Sequence, residues 1–178
     1  TKQAATKIAA LTKDVSEIVA ELGLVVLQKM PAYRVAYHDP CTIQHGQKIT
    51  RQPRELLRMA GFDVVDVPEK HFCCGSAGTY SVLQPELSMQ LRDRKLDALH
   101  ASRPEVILSA NIGCITHLTN GAQVPVRHWV EWLDCRLTQL GGVTDGVRLP
   151  ARQKQRGQSE KQRAVHGDHE ERNGEQRP

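Results

Sequence analysis

Four short runs of strand character, alternating with helical patterns, constrain this chain more than anything else in it. The runs are residues 34–38 (RVAYH), 62–67 (FDVVDV), 105–110 (EVILSA) and 124–127 (VPVR). Between the first two, Thr50 reads as an N-cap, residues 55–60 as a helix body and Gly61 as its stop. Residues 85–102 form the clearest helical pattern. Pro85 suits its first turn, and Leu87, Leu91, Leu96 and Leu99 trace a stripe. A short helix is expected from Cys114 through Thr119, and a last one over residues 128–140 with Trp129, Leu133 and Leu137 facing inward. Strand–helix alternation of this kind predicts an α/β fold, a small parallel sheet of about four strands with helices on its faces.

The cysteines fall just past the strands. Cys41 follows the first run, Cys73 and Cys74 the second, and Cys114 the third. All strands of a parallel sheet end on one edge, and open α/β folds place their ligands there. Sulfurs with 31 residues between Cys41 and Cys73, and 39 between Cys74 and Cys114, are therefore expected to converge. Adjacent cysteines cannot both be buried from one extended segment, because successive side chains point to opposite faces. In a loop, both can turn toward one object, and Gly75 and Gly78 let the backbone approach it.

Four thiolates suit an iron–sulfur cluster, [4Fe–4S] in first place, with zinc as the alternative. His117 lies three residues after Cys114, on the same helical face, as a further ligand or a tuning group. Backbone N–H groups of residues 75–78 are expected to face the sulfur charge. A rival reading is a vicinal dithiol catalyst built on Cys73 and Cys74, which leaves Cys41 and Cys114 unexplained. Cys135, on the last helix, reads as a small buried apolar residue. His38-Asp39-Pro40 reads as a turn in which Asp39 caps its own backbone, and His45, His71 and His128 have no evident partner.

The ends of the 178-residue chain differ from its middle. Residues 1–24 predict one amphipathic helix stopped by Gly23, with a linker to residue 32. The chain opens in helical sequence without a Met, as a piece of something longer would. Residues 141–178 contain no Ile, Phe, Met, Trp, Tyr or Cys and are expected to be a disordered polar tail, leaving 33–140 as the cysteine-rich domain. Net charge is +4, and the tail contributes +2 of it (8 Lys/Arg less 6 Asp/Glu), so the basic balance gives little argument for a nucleic-acid partner. No apolar run is long enough to span a bilayer, and no secretory signal pattern is present. Five clustered cysteines, without export signals, favour metal or redox chemistry over a disulfide framework.

Three segments, His38-Asp39-Pro40-Cys41, Cys73-Cys74-Gly75 and Gly113-Cys114, resemble the cysteine-rich CCG domain. That family includes the cysteine-rich subunit of heterodisulfide reductase and the iron–sulfur subunits of flavin-linked dehydrogenases, the glycolate-oxidising ones above all. The likeness extends over about residues 1–135. It implies an electron-transfer, non-catalytic subunit passing electrons from a flavin subunit toward the quinone pool. The implied partners are the flavin-containing subunits of glycolate dehydrogenase and a ferredoxin-like part of the same subunit. The implied place is cytoplasmic and peripheral at the inner membrane. It also implies Cys41, Cys73, Cys74 and Cys114 as cluster ligands. The heterodisulfide reductase pattern ends in Cys-x-x-Cys, whereas this chain has Cys114-Ile115-Thr116-His117.

Overall fold

The two central strands carry the core. A computed structural model describes residues 1–23 and 32–138. In it β1 (Arg34–Tyr37), β2 (Asp63–Val65), β3 (Val106–Ser109) and β4 (Val126–His128) form one sheet in the order β2-β1-β3-β4, every pairing parallel. β3 is buried along its whole length, and β1 from Val35 onward. This is how a parallel strand covered on both faces reads in sequence. Pro125 immediately precedes β4, an edge strand, where its missing N–H costs nothing and its carbonyl still accepts from Ile107 N–H at 2.9 Å.

Alternation along the strands divides the core in two. Ala36, Ile107 and Val126 lie in register across three strands and pack with Leu96, Leu99 and Leu118 of α5 (Pro85–His100) and α6 (Ile112–Thr119). Cys74 and Cys114 belong to the same cluster. Tyr37 points to the other face, where Arg54 of α3 (Gln52–Met59) lies 5.1 Å from its ring centroid. There α3 packs on α7 (Trp129–Thr138), and Trp132 meets Tyr33 edge-on at 5.3 Å.

Four details differ from the sequence expectation. The single N-terminal helix is two, α1 (Lys2–Leu11) and α2 (Val15–Leu22). Asp14 starts the second with a capping box in which its side chain accepts from Ser16 N–H and Glu17 answers on the Asp14 N–H. A helical period cannot reveal such a break when the apolar residues stay in phase across it. Secondly, Thr50 does not cap α3, which begins at Gln52 with Pro53 in its first turn and no side-chain cap. Thirdly, α5 buries Ser88, Lys95, Leu96, Ala98 and Leu99, while Leu87 stands 50% exposed and Leu91 half-buried. Fourthly, a π-helical segment (Thr42–Gln47) and a short helix α4 (Tyr80–Leu83) follow the first two cysteine loops. Trp129 and Leu133 face inward as expected. The Leu137 and Cys135 side chains, and the tail beginning at residue 141, lie outside the described residues.

Candidate metal centre

Each strand of the sheet except β4 hands the chain to a cysteine at its C-terminal end. β1 runs on through His38, whose N–H still bonds Leu108 O at 2.8 Å, into Asp39-Pro40-Cys41. Asp39 does not cap its own turn. It is 6% exposed and bound through both oxygens by Arg54 of α3, which also donates to Tyr37 O at 3.3 Å. This buried two-point pair fixes the exit of β1 just ahead of Cys41.

After β2, residues 66–79 form the loop that carries Cys73 and Cys74. Gly75 holds a φ of +87°, a conformation L side chains rarely adopt. That bend brings its own N–H to within 3.3 Å of Cys73 Sγ. Its carbonyl accepts from Ser88 Oγ at 2.8 Å, fastening the loop to α5. After β3, Asn111 caps α6 by accepting Cys114 N–H at 3.1 Å, which sets Cys114 in the first turn of that helix.

The four sulfurs are thereby brought together. Cys41, Cys73, Cys74 and Cys114 lie close enough that each thiol's pKa is set in part by the others, and the sulfurs of Cys74 and Cys114 lie within 4.8 Å of one another. The pKa of Cys114 is lowered, chiefly by the neighbouring Cys74. Cys74 is pushed up to about 11 by the neighbouring Cys114, with burial adding to the rise and Cys73 and the Ser76 N–H opposing it. The neighbouring Cys74 raises Cys73, and burial raises Cys41. Four thiols gathered from three loops suit a cation that would hold all of them ionised.

A buried cation backs the cluster. Lys95 is 2% exposed and donates to the carbonyls of Glu69 (3.2 Å) and Lys70 (3.0 Å), in the cysteine loop just ahead of Cys73. Among the described residues, no carboxylate pairs with it within 4.0 Å. Its pKa is lowered by burial, against the charges of Asp39, Cys74 and Cys41.

The imidazoles divide differently from the sequence expectation. His117 Nε2 meets Ser88, at 3.1 Å from Oγ and 3.3 Å from the carbonyl oxygen, so it braces the Gly75–Ser88 contact. His45 and His71 are exposed, and His128 Nδ1 accepts Val130 N–H at 3.3 Å. The histidine beside the sulfurs is His38. One of its ring nitrogens and the sulfurs of Cys74 and Cys114 all lie within 4.8 Å of one another. Two sulfurs bound to one ion at about 2.3 Å can be at most about 4.6 Å apart, and the 4.8 Å bound on this group is close to that ceiling. His38 is 1% exposed, and its Nδ1 pairs with Ser109 Oγ at 3.0 Å. Its Nε2 is buried without a partner. Burial, together with the charges of Lys95 and Arg54, holds its pKa down at about 3, so the ring is neutral. Four gathered thiols, two of them close to a neutral imidazole whose Nε2 has no partner, are a donor set that fits a thiophilic metal or an iron–sulfur cluster. His38 escaped the sequence reading because His-Asp-Pro is also an ordinary turn. The available signal was its place at the end of a buried strand, level with the other sites.

The comparisons with known proteins agree with this arrangement. A family model described as a cysteine-rich domain, CCG, matches residues 35–119. The chain is 44% identical over 127 residues to the glycolate oxidase iron-sulfur subunit of Escherichia coli (strain K12), covering 71% of this chain and 31% of that protein. It is 31% identical over 114 residues to the probable glycolate oxidase iron-sulfur subunit of Bacillus subtilis (strain 168), covering 62% of this chain and 26% of that one. Lactate utilization protein A of Oceanobacillus iheyensis is 27% identical over 149 residues, covering 80% of this chain and 60% of that protein. The chain thus spans between about a quarter and three fifths of these relatives. With its cysteines at three strand ends of a parallel sheet, residues 35–119 of the chain match the cysteine-rich CCG domain family.

Proposed function

We propose that this chain is the cysteine-rich part of the iron–sulfur subunit of a glycolate-oxidising dehydrogenase, and that its role is electron transfer. The observation that carries the reading is the gathering of Cys41, Cys73, Cys74 and Cys114 from three separate strand ends, near enough to perturb one another's pKa. Those four residues would hold an iron–sulfur cluster, [4Fe–4S] in type. When bound, the cluster supplies a site for taking up and giving on one electron. The protein's part is electrostatic and steric. Gly75 N–H faces Cys73 Sγ, and Lys95 places a buried positive charge behind the loop. Both favour the more negatively charged state of whatever the thiolates hold. His117 serves as the brace on Ser88 that keeps the loop against α5.

The partners in this reading are the flavin-containing subunits, which bind glycolate and release electrons, and the ferredoxin-like part of the same iron–sulfur subunit. Exposed apolar side chains near the cysteine loops, Val82 and Leu83 on α4 and Ile112 on α6, fit contact with that ferredoxin-like part. Residues 33–140 would be the domain that docks. Among the described residues, no helix is long and apolar enough to cross a membrane, so attachment at the inner membrane would come through the partners.

Zinc is the second reading, favoured by the nitrogen donor of His38 among the sulfurs. Metal and acid-labile sulfide content after anaerobic purification separates the two. The proposal expects iron with matching sulfide and a visible absorption that bleaches on reduction. Zinc without sulfide would replace it with the structural reading. Protein free of both, with Cys73 and Cys74 titrating as a disulfide, would leave the dithiol reading.

A further inference from the structure

We propose that His38 is itself a ligand of the metal centre, binding through Nε2 and giving the site a mixed nitrogen and sulfur shell. This deepens the reading above and rests on it. A buried polar atom without a hydrogen bond bears its full desolvation penalty, and native interiors rarely tolerate one. His38 Nε2 is such an atom, in a residue 1% exposed at the end of a central strand of the sheet.

Its surroundings say what would satisfy it. The hydroxyl of Ser109, on the neighbouring strand of the β1–β3 pair, lies 3.0 Å from Nδ1. When that hydroxyl accepts Nδ1–H, the proton is fixed on the far side of the ring and Nε2 keeps its lone pair. Metal-binding histidines are set in the same way, by a partner on the other nitrogen. Asp39, the nearest acid in sequence, is held by Arg54 at both oxygens and offers no relief. What remains for Nε2 is an electrophile, and a ring nitrogen of His38 and the sulfurs of Cys74 and Cys114 all lie within 4.8 Å of one another.

His117 takes the opposite part. Its Nε2 is taken up by Ser88, and among the described residues the ring grouped with the sulfurs of Cys74 and Cys114 is that of His38. His38 supplies one from the end of β1. Replacing a thiolate by a neutral imidazole removes one negative charge from the shell, a change that raises reduction potential in clusters of mixed ligation.

The test uses the full chain, purified anaerobically with histidine labelled with nitrogen-15. X-ray absorption at the edge of whichever metal is bound counts nitrogen and sulfur neighbours, and pulsed electron paramagnetic resonance of the reduced iron form detects the labelled nitrogen. The wild type and H117Q should show one directly bound histidine nitrogen. H38A should lose it while sulfur neighbours remain, and H38C should restore a full shell of sulfur alone. S109A, which disturbs only the ring's orientation, should weaken metal affinity by roughly tenfold. An all-sulfur shell in the wild type overturns the proposal, as does a bound nitrogen that persists in H38A. Should H38A not fold, the H38C and wild-type spectra decide alone. If the metal is zinc without sulfide, the electron-transfer reading fails while the nitrogen count at the zinc edge still decides for or against His38. A chain that takes up neither iron nor zinc fails both.

Discussion

Gly75→Ala is expected to destabilise the domain by about 3–5 kcal/mol and to abolish metal retention. Gly75 sits at φ +87°, where a side chain alone costs roughly 1–2 kcal/mol. The space is the larger problem. A Cβ there would lie 2.3 Å from the carbonyl oxygen of Ser88 and 3.1 Å from Leu91 Cβ. The obstacle is the backbone of α5, which cannot swing aside as a long side chain would. Moving the loop instead breaks the Ser88 Oγ bond to Gly75 O and draws Cys73 and Cys74 away from Cys41 and Cys114. Gly61 provides the control, with φ +82° and nothing within 4 Å of an added Cβ. Gly61→Ala should cost only about 1 kcal/mol, with metal content unchanged. Urea unfolding of both variants, with metal analysis alongside, checks this. Equal losses for the two would show that conformational strain, and no close approach of loop to helix, governs Gly75.

The second large effect is expected at Arg54. Arg54→Ala leaves Asp39, 6% exposed, as an uncompensated buried charge and strips a donor from Tyr37 O. Removing one member of a buried pair costs about 3–5 kcal/mol. Arg54→Lys should recover little, because an ammonium cannot span two carboxylate oxygens as the guanidinium does. The double variant Arg54→Leu with Asp39→Asn should regain most of the stability, since it removes the stranded charge itself. Asp39 lies between His38 and Cys41, so the single variant should also lower metal occupancy. A loss below about 1 kcal/mol for Arg54→Ala would mean that the pair is wetter than its burial implies.

The sheet was legible because β1 from Val35 onward and β3 throughout are buried and therefore appear as short apolar runs, VAY and VIL. Once the strands were known to be parallel, the meeting of their C-terminal ends followed from topology alone, and with it the gathering of Cys41, Cys73, Cys74 and Cys114. What the sequence did not disclose depends on single hydrogen bonds. The break between α1 and α2 rests on Asp14 and Glu17 capping each other, which a helical period running through both cannot register. His117 has the spacing of a ligand, yet Ser88 claims its ring, and Ser88 sits on α5, a helix whose rotation no period fixes. That rotation also turned Leu87 outward and Lys95 inward. His38 looked like part of a turn because Asp39 and Pro40 follow it. Its burial becomes visible only when β1 is placed at the centre of the sheet, between β2 and β3.

One centre held by sulfurs from three strand ends is the central claim, and anomalous diffraction from anaerobically grown crystals tests it most directly. The predicted result is a single metal site with anomalous density bonded at about 2.3 Å to Sγ of Cys41, Cys73, Cys74 and Cys114. Metal bound elsewhere, or a cysteine from any one of the three loops turned away from it, would contradict the claim.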